Sequence, residues 1–218
     1  DVINAQSKYI WWTDHDSTNL TNAGETLASR SSAYDTHATA IDHSLSGGSD
    51  DNAPTVGEMA LAYDNFEDAE TVDVNLLFAC PDANGAETIA EDLISIANAR
   101  KDLVAFVSPP IEDTAGSSQP ATDVMAFANG LTSTSYAVCD SSALYVYDKY
   151  NDLYRYIGAA GHMAGLCANT DRVADAWFSP AGVNRGQLLG VTKLAFNPKK
   201  ADRDTLYKGR VNPLVSFP

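Results

Sequence analysis

The hydrophobic pattern of this chain changes character near residue 54. Before it, residues 1–55 are rich in Ser, Thr, Asn, Asp and Ala, and Tyr9-Ile10-Trp11-Trp12 is the one strongly apolar cluster, which reads as a strand. Ser44 to Pro54 is a turn-rich loop that cannot carry periodic structure. After it the pattern becomes regular. Thr55 is placed to cap a short helix running to about Phe66, with Met59, Ala62, Tyr63 and Phe66 on one face. Val72 to Ala79 begins alternating and ends continuously apolar, as a strand does on entering a buried sheet. From Glu87 to Ala99, Ile89, Leu93 and Ile96 recur at i, i+4 and i+7, the spacing of an amphipathic helix. Leu103 to Val107 is a further apolar strand, closed by Pro109-Pro110.

Strand, helix and strand within about 35 residues make a βαβ unit, whose crossover is expected to be right-handed. Downstream, Glu112 to Gln119 reads as a polar loop and Ala121 to Leu131 as a helix. Tyr136 to Cys139 is a short strand. Leu144 to Tyr147 and Tyr154 to Ile157 flank Lys149-Tyr150-Asn151-Asp152 as a hairpin. A Gly- and Ala-rich helix is expected over Gly158 to Ala174, a strand over Leu189 to Phe196, a short helix over Ala201 to Lys208, and a last strand over Leu214 to Phe217. The expected class is α/β shading into α+β: a mixed sheet with a βαβ unit and flanking helices.

Composition adds limits. No apolar run reaches 18 residues, so no segment has the length of a membrane-spanning helix. Cys80, Cys139 and Cys167 are too few and too far apart for a disulfide framework and read as small buried hydrophobes. The chain opens at Asp1 without a signal peptide and stops at Phe217-Pro218 just after a predicted strand, so both ends read as cuts in a longer polypeptide. The formal net charge is −15, unevenly placed. Residues 193–218 hold six bases against two acids, which leaves −19 for residues 1–192. An acidic body repels nucleic acid and anionic membranes, while a basic end can attract another copy of the same molecule.

The search for chemistry finds little. His15 in Asp14-His15-Asp16 lacks a second ligand pair at metal spacing, and His37 and His43 stand apart in a polar segment. His162 sits among Gly161, Met163 and Gly165 on a packed helix. No nucleophile elbow is present. The turn Pro81 to Gly85 occupies a phosphate-binding position, but it lacks the glycine fingerprint, and Asp82 would repel a phosphate. Gly158, Gly161 and Gly165 read as points of close approach by a neighbouring element. Glu87, Glu91 and Asp92 read as one solvated helix face. No catalytic, metal-binding or cofactor-binding residue is assigned, and the chain does not read as an enzyme.

From Gly158 to Pro218 the sequence becomes specific. Ala164-Gly165 on a small-residue helix is followed by Thr170-Asp171 and Trp177. Then come Pro180-Ala181-Gly182, Arg185-Gly186 and Val211-Asn212-Pro213. This ordered set resembles the core region of the contractile tail sheath family of myophages, in its T-even flavour. The resemblance is strong over about 54–218 and faint before it. It implies a core-side α/β domain over 54–218, part of a peripheral or protruding domain over 1–53, and a C-terminal strand-exchange domain missing beyond Pro218.

It further implies a virion structural protein, assembled in the host cytoplasm, that polymerises as hexameric rings in a helical array around a tail tube. Contraction of that array drives the tube through the host envelope. The implied partners are other copies of itself, the tail tube protein, and baseplate and tail terminator proteins, with no nucleic acid and no membrane insertion. Lys199, Lys200, Arg203, Lys208 and Arg210 are the candidate subunit-interface residues. Trp177 and Phe178 are expected to bury area at the junction after the helix, with Pro180, Gly182 and Gly186 shaping a rigid loop. Other readings stay open. One is a phage surface module binding carbohydrate, with Trp11, Trp12 and the tyrosines of Tyr145 to Tyr156 as aromatic platforms. Another is an α/β hydrolase built around His162. A third is the sheath of a related bacterial contractile injection system.

Overall fold

The computed structural model describes residues 6, 8, 47–50, 53–79, 85–182 and 185–217. The chain divides into two compact units, 1–51 and 52–218. The expected strand at Tyr9 to Trp12, the turn Pro81 to Asn84, Cys80, and His15, His37 and His43 lie outside the described residues.

In the second unit, α1 (Val56–Asp64) starts where Thr55 caps it. The Thr55 Oγ1 accepts from the Glu58 N–H at 3.3 Å, and Glu58 accepts in return from the Thr55 N–H at 2.7 Å, a reciprocal capping box. These bonds hold the Glu58 carboxyl below its ordinary range. The parallel strands β1 (Leu76–Ala79) and β2 (Val104–Val107) are joined through α2 (Ala86–Arg100), so the βαβ unit forms as its periodicity predicts. A short helix α3 (Ile111–Thr114) stands where a loop was expected. Then α4 (Pro120–Gly130) begins with Pro at its first position, where the missing N–H costs nothing. Strand β3 (Ala137–Cys139) adds to β2 in parallel.

The hairpin β4 (Leu144–Asp148) and β5 (Leu153–Ile157) is antiparallel, with Tyr145 opposite Tyr156 and Tyr147 opposite Tyr154. Its turn is organised by Asp148, whose carboxylate accepts from the backbone N–H groups of Tyr150 (3.0 Å) and Asn151 (3.3 Å) and from the Asn151 side chain (2.7 Å). Next comes α5 (Ala160–Val173). Strand β6 (Val191–Leu194) pairs with β4, and α6 (Lys200–Lys208) follows.

The mixed α/β class is observed, but the strands divide into two three-stranded sheets instead of one mixed sheet: parallel β1-β2-β3 and antiparallel β5-β4-β6. The parallel sheet is covered on both faces. On one, Leu77, Ala79 and Ala105 pack with Ile89, Leu93, Ile96 and Ala97 of α2, with Met59, Tyr63 and Phe66 behind them. On the other, Phe106 meets Ala160 and Ala164 of α5. Gly161 marks the close approach expected there, since a Cβ at this position would lie 3.2 Å from the Phe78 ring. Gly165 has no neighbour within 4 Å of that kind. Each fully buried leucine or isoleucine in this core contributes roughly 1.5–3 kcal/mol.

Three further expectations fail. The segment 214–217 forms no strand. Pro213 lacks a ladder donor, and side chains hold the segment instead: the Leu214 N–H donates to Ser141 Oγ at 2.9 Å and the Ser216 N–H to Asn197 Oδ1 at 3.0 Å. Asp92 is not on a solvated face: its Oδ2 is buried without a hydrogen-bond partner, and burial raises its carboxyl. Ala62 is exposed and does not join the packed face of α1.

Candidate functional site

Two exposed features lie in the specific C-terminal stretch. The first is a corner between α5 and β6. Thr170 is buried and its Oγ1 donates to the Leu166 carbonyl at 2.8 Å, which ties down the last turn of α5, while Asp171 is exposed. Past the helix, Phe178 lies half-buried with the Arg185 guanidinium 4.7 Å from its ring centre. Arg185 Nε donates to the Ser179 carbonyl at 3.0 Å. The Gly186 N–H donates to the Gly182 carbonyl at 2.7 Å, and Gly182 takes φ +153°. A Cβ at Gly186 would lie 2.8 and 2.9 Å from Gly182 backbone atoms, so this closure requires glycine. Pro180 is half-buried and Ala181 exposed.

The corner therefore closes on itself, and this corrects the expected burial of Trp177. Phe178 takes the contact with Arg185. Trp177 stacks edge-on against Phe178 at 5.8 Å and remains 81 % exposed. A corner presenting a tryptophan and an arginine has the composition of a protein-binding hot spot.

The second feature is the basic end. Lys199, Lys200 and Lys208 are exposed. Arg203 is half-buried and donates to the Pro198 carbonyl at 3.1 Å, and Arg210, at φ +63°, bonds the Ser133 hydroxyl. Asn212 reaches back to the first sheet: its N–H donates to the Cys139 carbonyl at 2.9 Å, and it bridges Asp140 in parallel.

Sequence reasoning passed over the seam that Asn212 joins. Asp140 is 2 % exposed, between β3 and β4. Ser108 Oγ donates to its Oδ2 at 2.7 Å and itself accepts from the Ala160 N–H at 2.8 Å. Asp140 Oδ1 has no partner. Burial pushes this carboxyl up to about 7, against the opposing pull of Ser108 and nearby backbone N–H groups. Ser142 Oγ accepts from the Phe196 N–H at 3.1 Å. One polar seam thus links both sheets, α5 and the C-terminal segment. In the sequence, Asp140-Ser141-Ser142 between apolar strands has the signature of a surface turn, which hid it.

A cavity of about 480 Å³ opens at the first turn of α2, lined by Glu87, Pro110, Asp113, Asp123 and Phe127 among others. Burial, then Asp123 and Glu112, raise the Asp113 carboxyl. These acids repel an anion at the helix end where a phosphate would otherwise sit. His162 is half-buried on α5, and among the described residues no group of three or more His, Cys, Asp or Glu side chains is arranged to hold a metal ion.

Residues 52–218 match the model of the phage tail sheath protein central domain. The chain belongs to the phage tail sheath family. It is 40 % identical over 187 residues to the tail sheath protein of Enterobacteria phage T4, covering 78 % of this chain and 28 % of that one. It is 36 % identical over 237 residues to the tail sheath protein of Vibrio phage KVP40, covering 99 % and 34 %. The tail sheath protein of Salmonella phage ViI is 34 % identical over 177 residues, covering 79 % and 27 %. The chain thus spans between about a quarter and a third of the length of these sheath proteins. Its fold is also that of the helical sheath of the anti-feeding prophage in the contracted state, with a TM-score of 0.55 at 16 % identity, over 77 % of this chain and 42 % of that one. A chain of the baseplate of the same particle superposes with a TM-score of 0.54 at 17 % identity, over 74 % and 38 %.

Proposed function

We propose that this chain is the central part of a structural subunit of a contractile phage tail sheath, without catalytic activity of its own. The subunit assembles as hexameric rings stacked helically around a tail tube, and contraction of the sheath drives the tube through the host envelope. Its partners are other sheath copies, the tail tube protein, and the baseplate and tail terminator proteins. Assembly takes place in the host cytoplasm and the product resides in the virion. Residues 54–218 form the core-side domain and 1–53 part of a peripheral one. The observation that carries this reading is the match of residues 52–218 to the sheath central domain.

The geometry supports a role between subunits for the corner and the basic end. A helical polymer needs one face complementary to a different face of the next copy. Trp177 supplies an aromatic anchor, and Lys199, Lys200 and Lys208 supply exposed cations to an acidic body. Pairs of exposed charges contribute about 0–1 kcal/mol each, weak enough to break and re-form as rings rotate. The test is electron microscopy of the complete polypeptide under polymerising conditions, with a Trp177→Ala, Lys199→Glu, Lys200→Glu variant beside it. Tubes of uniform diameter for the wild type, and a loss of at least tenfold in tube yield for the variant, are expected. A wild-type protein that stays dispersed would sink the reading, and wild-type tubes with a fully competent variant would remove these residues from the interface.

A further inference from the structure

The antiparallel sheet carries a surface that the motif residues above do not explain. Register places Tyr145, Tyr147, Tyr154 and Tyr156 on one face, since Tyr145 pairs with Tyr156 and Tyr147 with Tyr154. Their rings pack at 4.7–5.3 Å between centres. Lys193 of β6 stands opposite Tyr145 on the same face, its Nζ 4.6 Å from the Tyr145 ring and 5.9 Å from that of Tyr156. Tyr147 and Tyr154 are each half exposed, and Lys193 is exposed. Among the described residues Lys193 is in no ion pair. The hairpin turn adds a second cation, Lys149, 5.0 Å from the exposed Tyr150 ring. The Tyr147 hydroxyl donates to Asp152 of the hairpin turn at 2.6 Å, which leaves the hydroxyls of Tyr145, Tyr154 and Tyr156 and the Lys193 ammonium on the sheet, with Lys149 at the turn, as donors suited to carboxylates.

The same chain exposes such carboxylates elsewhere. Asp64, Glu67, Asp68, Glu70 and Asp73 are all exposed within the ten residues that run from the end of α1 towards β1. The segment is held in one shape by Arg100, which donates to the carbonyls of Phe66 (2.7 Å), Val72 (3.1 Å) and Val74 (3.5 Å). Arg100 is itself fixed by an ion pair to Asp102 at 2.8 Å, with its side chain only 2 % exposed. One chain thus carries two surfaces of opposite character, both preorganised, which is what a head-to-tail contact requires.

Resting on the sheath reading, we propose that the tyrosine–lysine face of β4, β5 and β6 receives the acidic segment 64–73 of a second copy of this chain. Lys193 and the hydroxyls of Tyr145, Tyr154 and Tyr156 then donate to carboxylates of Glu67 and Glu70. The aromatic slab keeps the contact stiff while its polar rim keeps it reversible.

Charge reversal in the complete polypeptide tests this in trans. One variant carries Lys193→Glu and the other carries Glu67→Lys with Glu70→Lys. Thermal unfolding of each dispersed variant should match wild type. Each alone should need at least tenfold more protein to form tubes. A one-to-one mixture should assemble within about twofold of wild type, because every contact in an alternating array then pairs opposite charges. Variants that assemble alone as readily as wild type would overturn the contact, as would a folded mixture that stays dispersed. So would binding of soluble polysaccharide to the wild-type face, abolished by Lys193→Glu, with assembly unaffected. A wild-type chain that forms no tubes removes the sheath reading itself, and this contact with it.

Discussion

The two sheets of the second unit have the same number of strands and opposite circumstances. Parallel β1-β2-β3 lies between α2, with α1 behind it, on one side and α5 on the other, and its inward residues are Leu77, Ala79, Ala105 and Phe106. Antiparallel β5-β4-β6 buries Leu144 but leaves Tyr147 and Tyr154 half open. In the covered sheet the buried side chains are chosen by neighbours within the chain, although Phe78 on β1 stays 48 % exposed. In the open one, several large side chains have no such reason to be large. A residue whose size is unexplained by its own fold is best explained by something outside it.

The largest effect that would sharpen this contrast lies in the seam joining the sheets. Asp140 moves from an ordinary 3.8 to about 7 in the folded chain. Across that window the folded chain keeps a proton that the unfolded chain has released. The contribution of Asp140 to stability is therefore least unfavourable below about pH 4, worsens as pH rises towards about 7, and is constant above it. A shift of roughly 3 units corresponds to about 4 kcal/mol. Urea unfolding from pH 4 to pH 8 should show wild type losing stability relative to Asp140→Asn over that window. Parallel curves would place the proton elsewhere.

Next in size is the covered sheet. Leu93 is fully buried, so Leu93→Ala should cost about 3 kcal/mol of unfolding free energy in urea. The open sheet should respond least. Tyr154→Ala removes cross-strand contacts worth about 0.2–1 kcal/mol, with no closed cavity left behind. If Tyr154→Ala proved as costly as Leu93→Ala, the tyrosine face would be a core in its own right, and the distinction between the sheets would collapse.

How much of this was legible depended on whether the signal was local. The Thr55 cap, the i, i+4, i+7 spacing of Ile89, Leu93 and Ile96, and the Tyr-rich hairpin all act within a few residues, and each element formed where its pattern lay. The division into two sheets was not legible, because it turns on which distant strands pair, and Leu144 to Tyr147 has the same alternation in either arrangement. The failed strand at 214–217 was read from apolar residues alone, although Pro213 argued against a ladder. Trp177 was expected inside because tryptophan usually is. Only the closure of Gly182 on Gly186 shows that Phe178, and not Trp177, has the inward contact. Ser108 and Asp140 stand 32 positions apart, and no local pattern announces a pair at that separation.

The way Arg100 grips its loop bears on how this surface can change over generations. The three groups it holds are carbonyls of Phe66, Val72 and Val74, which any amino acid would supply in the same place. Between them Asp68 braces the loop by accepting from the Glu70 N–H at 2.9 Å, whereas the exposed side chains of Glu67 and Glu70 add nothing to that grip. Mutation can therefore rewrite them while the backbone path stays put, so that recognition evolves on a frame that does not have to be reinvented.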